Sequence, residues 1–451
     1  MCMVMTVGST ARKFTDMTAQ RLLSPFETSY FSTEARLGSV PIGGMPLYIG
    51  STVRGRIDAE ILRRVLAELA AGHPLLRSSI VETDGVLSFR CVDTHRPVLE
   101  IADGGAAEYL ELVNSQQDWR AGLFRARLLR DGDLTRIVLI IHHGIADGRS
   151  AFALLDEMWQ RYTGHIVGSP LPQVNSTLLP DGVDNLLAAV TAEAEVDEFL
   201  AGIRAAVLAA DPADAPRMLP KDGDGVGDPR GRLALQRIEL TEDETGALVN
   251  TARTHGLSVN SLLSGAAMAA VRAQLEPGTG PLPLLCGHAV DLRYELVPRL
   301  SASTMLNCAS GVGTPVVADE DADPIALARA VADGMRLALD TRFAALFMRA
   351  NQRELDELTA AVFAAGPTLA LSNVGRLPAH SLPAGIDVIR DDVFAMMPGM
   401  PPKMTIFTVG ARLIIQVEYD TAEHTHAQMG RLTRATAEQI RLVTRGVVGV
   451  E

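Results

Sequence analysis

The chain has 451 residues, of which 47% are hydrophobic and 21% charged, and a formal net charge of −13. That length exceeds one ordinary core and suggests two domains, with the apolar content of a folded globular protein. The negative balance argues against nucleic-acid binding and anionic membrane surfaces, and no apolar run approaches the roughly 20 residues that span a bilayer.

The N-terminal stretch MCMVMTVGSTARKF lacks the charged head, apolar stretch and cleavage site of a secretory signal, and its repeated Met leaves the true start codon open. Cys2, Cys91, Cys286 and Cys308 are scattered without the spacing of zinc or redox motifs, which fits a reducing, cytoplasmic compartment. Lysine occurs only at Lys13, Lys221 and Lys403, so arginine supplies nearly all of the positive charge.

In GRIDAEILRRVLAELAAGHPLLRSS, Asp58 is placed to cap a helix. Ile61, Leu62, Val65, Leu66 and Leu69 share one face, Ile57 and Leu62 form a hydrophobic staple, and His73-Pro74 ends the helix. VLSFRCV and RARLLR read as strands, and the continuous apolar run TRIVLII as a strand covered on both faces. SAFALLDEMWQRYTG reads as an amphipathic helix stopped by Gly164. Residues 180–210 are helical and Ala-rich. The Asp-, Gly- and Pro-dense segment 211–233 reads as a linker between an N-terminal unit, 1–210, and a C-terminal unit, 234–451.

The second unit opens with the strand LALQRIEL and a helix carrying a Thr241–Glu244 capping box and a stop at Gly256. A helix capped by Ser258, the strand-loop PLPLLCGHAVDLR and a helix started by Asp323-Pro324 follow. PTLALSNVG and TIFTVGARLIIQVEYD read as strands, and HAQMGRLTRATAEQIRLV as a closing helix. Both units therefore mix helices and strands in a loosely similar order.

The stretch IHHGIADGRS, residues 141–150, sits where a strand hands over to a helix. Alternation along a strand sends His142 and His143 to opposite faces, so only one can serve a given cavity, as a base whose ordinary pKa suits proton transfer. Asp147 is costly to bury without a cation or several donors, and Gly148 supplies freedom for a tight turn. The same alternation opposes a metal site built from His142, His143 and Asp147. Strand-end Ser372 and Asn373 fit either turn chemistry or a site contact. Met396, Met397, Met400 and Met404 fit either an acyl pocket or a core gap. Cys286 beside His288 is read as core.

HHGIADG resembles the HHxxxDG signature of the condensation-domain and chloramphenicol-acetyltransferase-like superfamily, and the helix ending in His-Pro-Leu-Leu-Arg is similar to the one that opens those domains. RLLSPFE and AVDLR look most like the polyketide-associated acyltransferases. The resemblance runs from about residue 20 to the end.

It implies an α/β fold of two similar subdomains in a V, with a channel between them. It makes His143 the general base, His142 a support of the loop, and Asp147 a structural carboxylate paired with Arg293. It places Ser372 and Asn373 near the channel, as contacts for the oxyanion or the pantetheine arm. The implied reaction is O-acyl transfer from a thioester to a hydroxyl of a polyketide or related secondary metabolite, with no metal and no permanently bound cofactor. The co-substrate is acyl-CoA or an acyl carrier protein thioester, and the −13 charge favours CoA because carrier proteins are usually acidic. Amide-forming condensation and a non-catalytic metabolite-binding or scaffolding role are the alternatives.

Overall fold

The structure is a computed structural model that describes residues 19–445, so Cys2, Lys13 and the N-terminal segment lie outside the described residues. Its frame is two sheets, each carrying helices. The first has five strands in the order Asp387–Phe394, Pro46–Arg54, Leu134–His142, Phe124–Asp131, Leu99–Asp103. The run TRIVLII lies in its central strand, and the pleat divides its side chains between two cores. Ile137, Leu139 and Ile141 join helices Ala59–Gly72 and Gly148–Ile166 in one core, while Val138 and Ile140 join Phe26, Tyr30 and Met45 in another.

The second sheet has six strands in the order Leu233–Glu239, Arg412–Asp420, Lys403–Val409, Leu369–Leu377, Leu282–Asp291, Ala309–Ala318. Helices Glu242–Thr254, Val259–Arg272 and His426–Arg445 pack over it and bury Leu248, Leu262 and Leu432 with strand residues such as Leu284, Leu369 and Ile415. The capping residues act as their positions predict. Asp58 accepts from the amides of Glu60 and Ile61, Thr241 and Glu244 form a capping box, Ser258 accepts from Ser261, and Asp323 accepts from Ile325.

One local expectation needs correction, the helical reading of residues 180–210 holds as two helices, and one strand was not expected. The helix after the histidine motif runs through Gly164 to Ile166, and Gly168, at φ +74°, ends it. Gly164 is small because the chain folds back on it: a Cβ there would lie 2.8 Å from the Ser169 carbonyl oxygen. Residues 180–210 form two helices, Val183–Ala188 and Glu193–Ala209. The strand Asp387–Phe394, for which the sequence pattern gave no element, leaves the C-terminal half and pairs antiparallel with Pro46–Arg54 at the edge of the N-terminal sheet.

That crossing strand carries two buried carboxylates, and each has found partners. Asp392 accepts from Arg237 Nε at 3.0 Å and lies 3.9 Å from Arg136. Asp391 accepts from Ser51 at 2.5 Å and from His380 Nε2 at 3.2 Å, and His380 Nδ1 lies 3.2 Å from Asp156 on helix Gly148–Ile166. Burial alone would lower the His380 pKa, but the two carboxylates outweigh it and raise it to about 9.

An imidazolium held between two aspartates therefore ties the crossing strand to the N-terminal helix layer. Its folded pKa lies above the unfolded value, so its stabilisation is full below about pH 6.5 and is lost as pH rises through about 9. The expected contribution is on the order of 3 kcal/mol. In urea titrations at pH 6 and pH 9.5, the wild type is expected to lose stability between the two values, and His380→Ala to be less stable at pH 6 with a flatter pH response.

Candidate active site

Strand Leu134–His142 ends at the first histidine, and His143 opens the short 3-10 turn His143–Ile145. The two rings diverge because of that turn, not because of strand alternation. His142 is fully buried, stacked on Phe31 at 4.1 Å between centroids and edge-on to Trp119 at 4.8 Å; its Nδ1 accepts from the Gly144 amide at 3.1 Å. Burial pulls its pKa down to about 3, so it is a neutral post under the turn.

His143 is half-buried and faces a cavity of about 450 Å³. Tyr30 stacks against it at 5.8 Å. Asn307 Nδ2 donates to the His143 carbonyl oxygen at 2.9 Å and lies 3.2 Å from the ring Nδ1. Desolvation lowers the His143 pKa, hydrogen bonds to the main chain of His143 and Ala146 oppose it, and the charge of Lys403 lowers it further. The net shift is downward, so the ring is neutral at pH 7 and one of its two nitrogens carries a lone pair.

Asp147 caps helix Gly148–Ile166, accepting from the Ser150 amide at 2.9 Å through Oδ1. Its Oδ2 accepts from Arg293 Nη1 at 2.6 Å and from the Cys308 amide at 2.8 Å. Arg293, 2% exposed, also donates to Asp291 Oδ1 at 3.1 Å and to the Leu306 carbonyl at 3.0 Å. Burial would lower the Arg293 pKa, but Asp147 beside it outweighs that and holds the guanidinium charged. The carboxylate is thus fully engaged in joining the two halves and does not line the cavity. Gly148 does line it, as the first helical residue without a positive φ; its small size is set by Val374, whose Cγ2 would lie 3.2 Å from a Cβ.

Of the other candidates, Ser372 and Met400 line the cavity. Asn373 donates to Asn260 at 3.1 Å and accepts from the Gly375 amide at 2.9 Å across a strand irregularity. Met396 and Met404 fill cores. Cys286 is a fully buried core residue whose thiol burial pushes up to about 12, and His288 Nε2 bonds Thr314 at 2.8 Å. Sequence reading missed Tyr30, Asn307 and Lys403. Lys403 lines the cavity while its ammonium donates to the Ala395 carbonyl and to buried Glu418 at 3.1 Å. Its rarity was the one available signal, since it is one of three lysines.

Among the described residues, no group of three or more His, Cys, Asp or Glu could hold a metal ion, and no helix is long and apolar enough to cross a membrane. Removing either partner of the Asp147–Arg293 pair strands a buried charge, which costs about 3–5 kcal/mol. Chemical denaturation of Asp147→Ala and Arg293→Ala is expected to show losses of that size, against less than about 1 kcal/mol for a control at the exposed pair Arg54–Asp133.

The family model described as "Phthiocerol/phthiodiolone dimycocerosyl transferase C-terminus" matches residues 229–418. The phthiocerol/phthiodiolone dimycocerosyl transferase of Mycobacterium leprae is 27% identical over 301 residues, 64% of this chain and 68% of that protein. The protein of that name from Mycobacterium ulcerans is 27% identical over 56% of this chain, and the chain spans 59% of its length. One from Mycobacterium sp. (strain JLS) is 23% identical over 85% of this chain and 92% of its own length. Among solved structures, polyketide synthase associated protein 5 from Mycobacterium tuberculosis superposes with TM-score 0.67 at 19% identity, covering 93% of this chain and 98% of that one. Trichothecene 15-O-acetyltransferase from Fusarium sporotrichioides gives 0.71 at 14% identity, covering 94% and 95%. The condensation domain of the Monacolin K polyketide synthase gives 0.65 at 14% identity, covering 96% and 98%. By fold the chain is similar to these solved acyltransferase and condensation-domain structures, and the sequence relatives it matches are named as transferases of acyl groups.

Proposed function

We propose that the protein is an O-acyltransferase that moves an acyl group from a thioester to a hydroxyl of a polyketide or related secondary metabolite. The observation that carries this reading is the neutral, half-buried imidazole of His143 facing a largely apolar cavity to which both halves contribute. A base there meets substrate against a largely apolar wall, and its lowered pKa keeps the lone pair available at neutral pH. His143 takes the proton of the acceptor hydroxyl as the oxygen attacks the thioester carbonyl carbon. The tetrahedral oxyanion then collapses, the carbon–sulfur bond breaks, and the departing thiolate receives the proton from the imidazolium. No acyl-enzyme forms.

Asp147, Arg293 and His142 act by positioning the turn; Ser372, which lies within strand Leu369–Leu377 and not at its end, lines the cavity and is the group assigned here to contact the oxyanion or the pantetheine arm. Acyl-CoA is the favoured donor, because a chain of net charge −13 repels an acidic carrier protein at long range. The three described cysteines, Cys91, Cys286 and Cys308, are buried free thiols, which suits a cytoplasmic setting.

With acyl-CoA thioesters and hydroxylated polyketides screened by mass spectrometry, His143→Ala is expected to lower kcat at least 10³-fold, roughly the upper range for a lost general base. Its melting temperature should stay near that of the wild type. Near-normal turnover in that variant would remove His143 as the base. The acidic limb of kcat/KM is expected below the ordinary imidazole pKa of about 6.5, because the base stays neutral to lower pH. A limb at or above that value would contradict the electrostatics described.

A further inference from the structure

The cavity that His143 faces is lined by a single full charge. Among the described residues around it, Lys403 carries one, no Asp, Glu or Arg does, and burial pushes His143 and His288 toward the neutral form. The countercharge is hidden. Glu418, directly across the strand pair from Lys403, is fully buried and does not line the cavity. Its Oε2 lies 3.1 Å from the ammonium, and the Ala395 main chain holds both groups, its carbonyl accepting from Lys403 and its amide donating to Glu418 at 3.4 Å. The carboxylate thus offsets the cost of burying a lysine, while only the positive half of the pair is turned to the cavity.

An ammonium has three protons. Ala395 and Glu418 face two of them, and among the described residues no acceptor stands against the third. Leu369 and Met404 pack under the helices of the C-terminal half, so the pleat sends Ala370 and Lys403 to the other face, where sheet register sets them side by side. The neighbour of the lysine on that face is therefore a single methyl group, and Ser372 follows it with a hydroxyl that also lines the cavity. An anionic oxygen beside Lys403 would take the free proton in a charge-assisted hydrogen bond, in apolar surroundings that strengthen the attraction.

We propose that Lys403 is a specificity-determining residue whose ammonium, fixed by Ala395 and Glu418, binds a carboxylate carried by one of the two substrates. This rests on the acyl-transfer reading and adds the substrate class: a thioester whose acyl group ends in a carboxylate, or an acceptor that is a hydroxy acid. A hydrogen bond between charged groups is worth about tenfold or more in binding, so the charge of the substrate, and not its bulk, is what Lys403 selects.

Calorimetric binding, which needs no turnover, separates the two sources of the carboxylate. Succinyl-CoA and butyryl-CoA form one pair of probes, and 6-hydroxyhexanoate and 1,6-hexanediol the other. Each is titrated into wild type, Lys403→Met, and a double variant carrying Lys403→Met and Glu418→Gln, which leaves no buried charge stranded. Wild type is expected to bind the anionic member of one pair about tenfold or more above its neutral partner. Both variants are expected to lose that preference while holding the neutral members at wild-type affinity. A preference for succinyl-CoA places the carboxylate on the donor, and a preference for 6-hydroxyhexanoate places it on the acceptor. Wild type that favours neither anionic member, a preference that survives both variants, or variants that weaken all four probes alike would overturn the proposal, the last because it is what a purely structural lysine would give. A Lys403-dependent preference without acyl transfer from any thioester would instead refute the catalytic reading and leave the anion site standing.

Discussion

The architecture depends on one buried ion pair. Asp147 and Arg293 come from different halves of the chain, and neither is exposed enough for water to replace its partner. The carboxylate simultaneously caps a helix, accepts from Arg293 and accepts from the Cys308 amide, so the costs of burying it are met by three donor groups. That geometry has a consequence one residue away. Docking Cys308 onto Asp147 brings Asn307 to the backbone of His143, where it donates to the carbonyl oxygen. The far half of the molecule thereby fixes the turn that presents the imidazole.

A second tie is the strand Asp387–Phe394, which belongs to the C-terminal half by sequence and to the N-terminal sheet by pairing. Its carboxylates are held by Arg237, Arg136, His380 and Ser51, from both halves. Between these two ties lies a cavity whose walls come from each half: Tyr30 and His143 from one, Gly311 and Lys403 from the other. An apolar lining and the imidazole of His143 are thus combined in one space, while the charged groups that hold the halves together are engaged elsewhere.

Local signals in the sequence were informative where the physics is local. Asp58, Thr241 with Glu244, Ser258 and Asp323 each satisfy amides two or three residues away, and all could be read from spacing alone. The apolar run of the central strand needed only the pleat. The misses share a different cause. DVIRDDVF carries too many charges to read as a buried strand, and becomes one only because the distant Arg237, Arg136 and His380 offset its carboxylates. Asn307 gains its role from a contact 164 residues away in sequence. Gly164 and Gly148 were read as conformational glycines, whereas close packing sets both.

The central claim is that Asp147 and Arg293 act as a unit across the two halves, and a double-mutant cycle tests it most directly. Unfolding free energies of wild type, both alanine variants and the double variant would be measured in urea at pH 7. The account predicts a double variant about 2 kcal/mol or more better than the sum of the two single losses, because removing both charges leaves neither stranded. Strict additivity would mean that the two residues are energetically independent, and would contradict it.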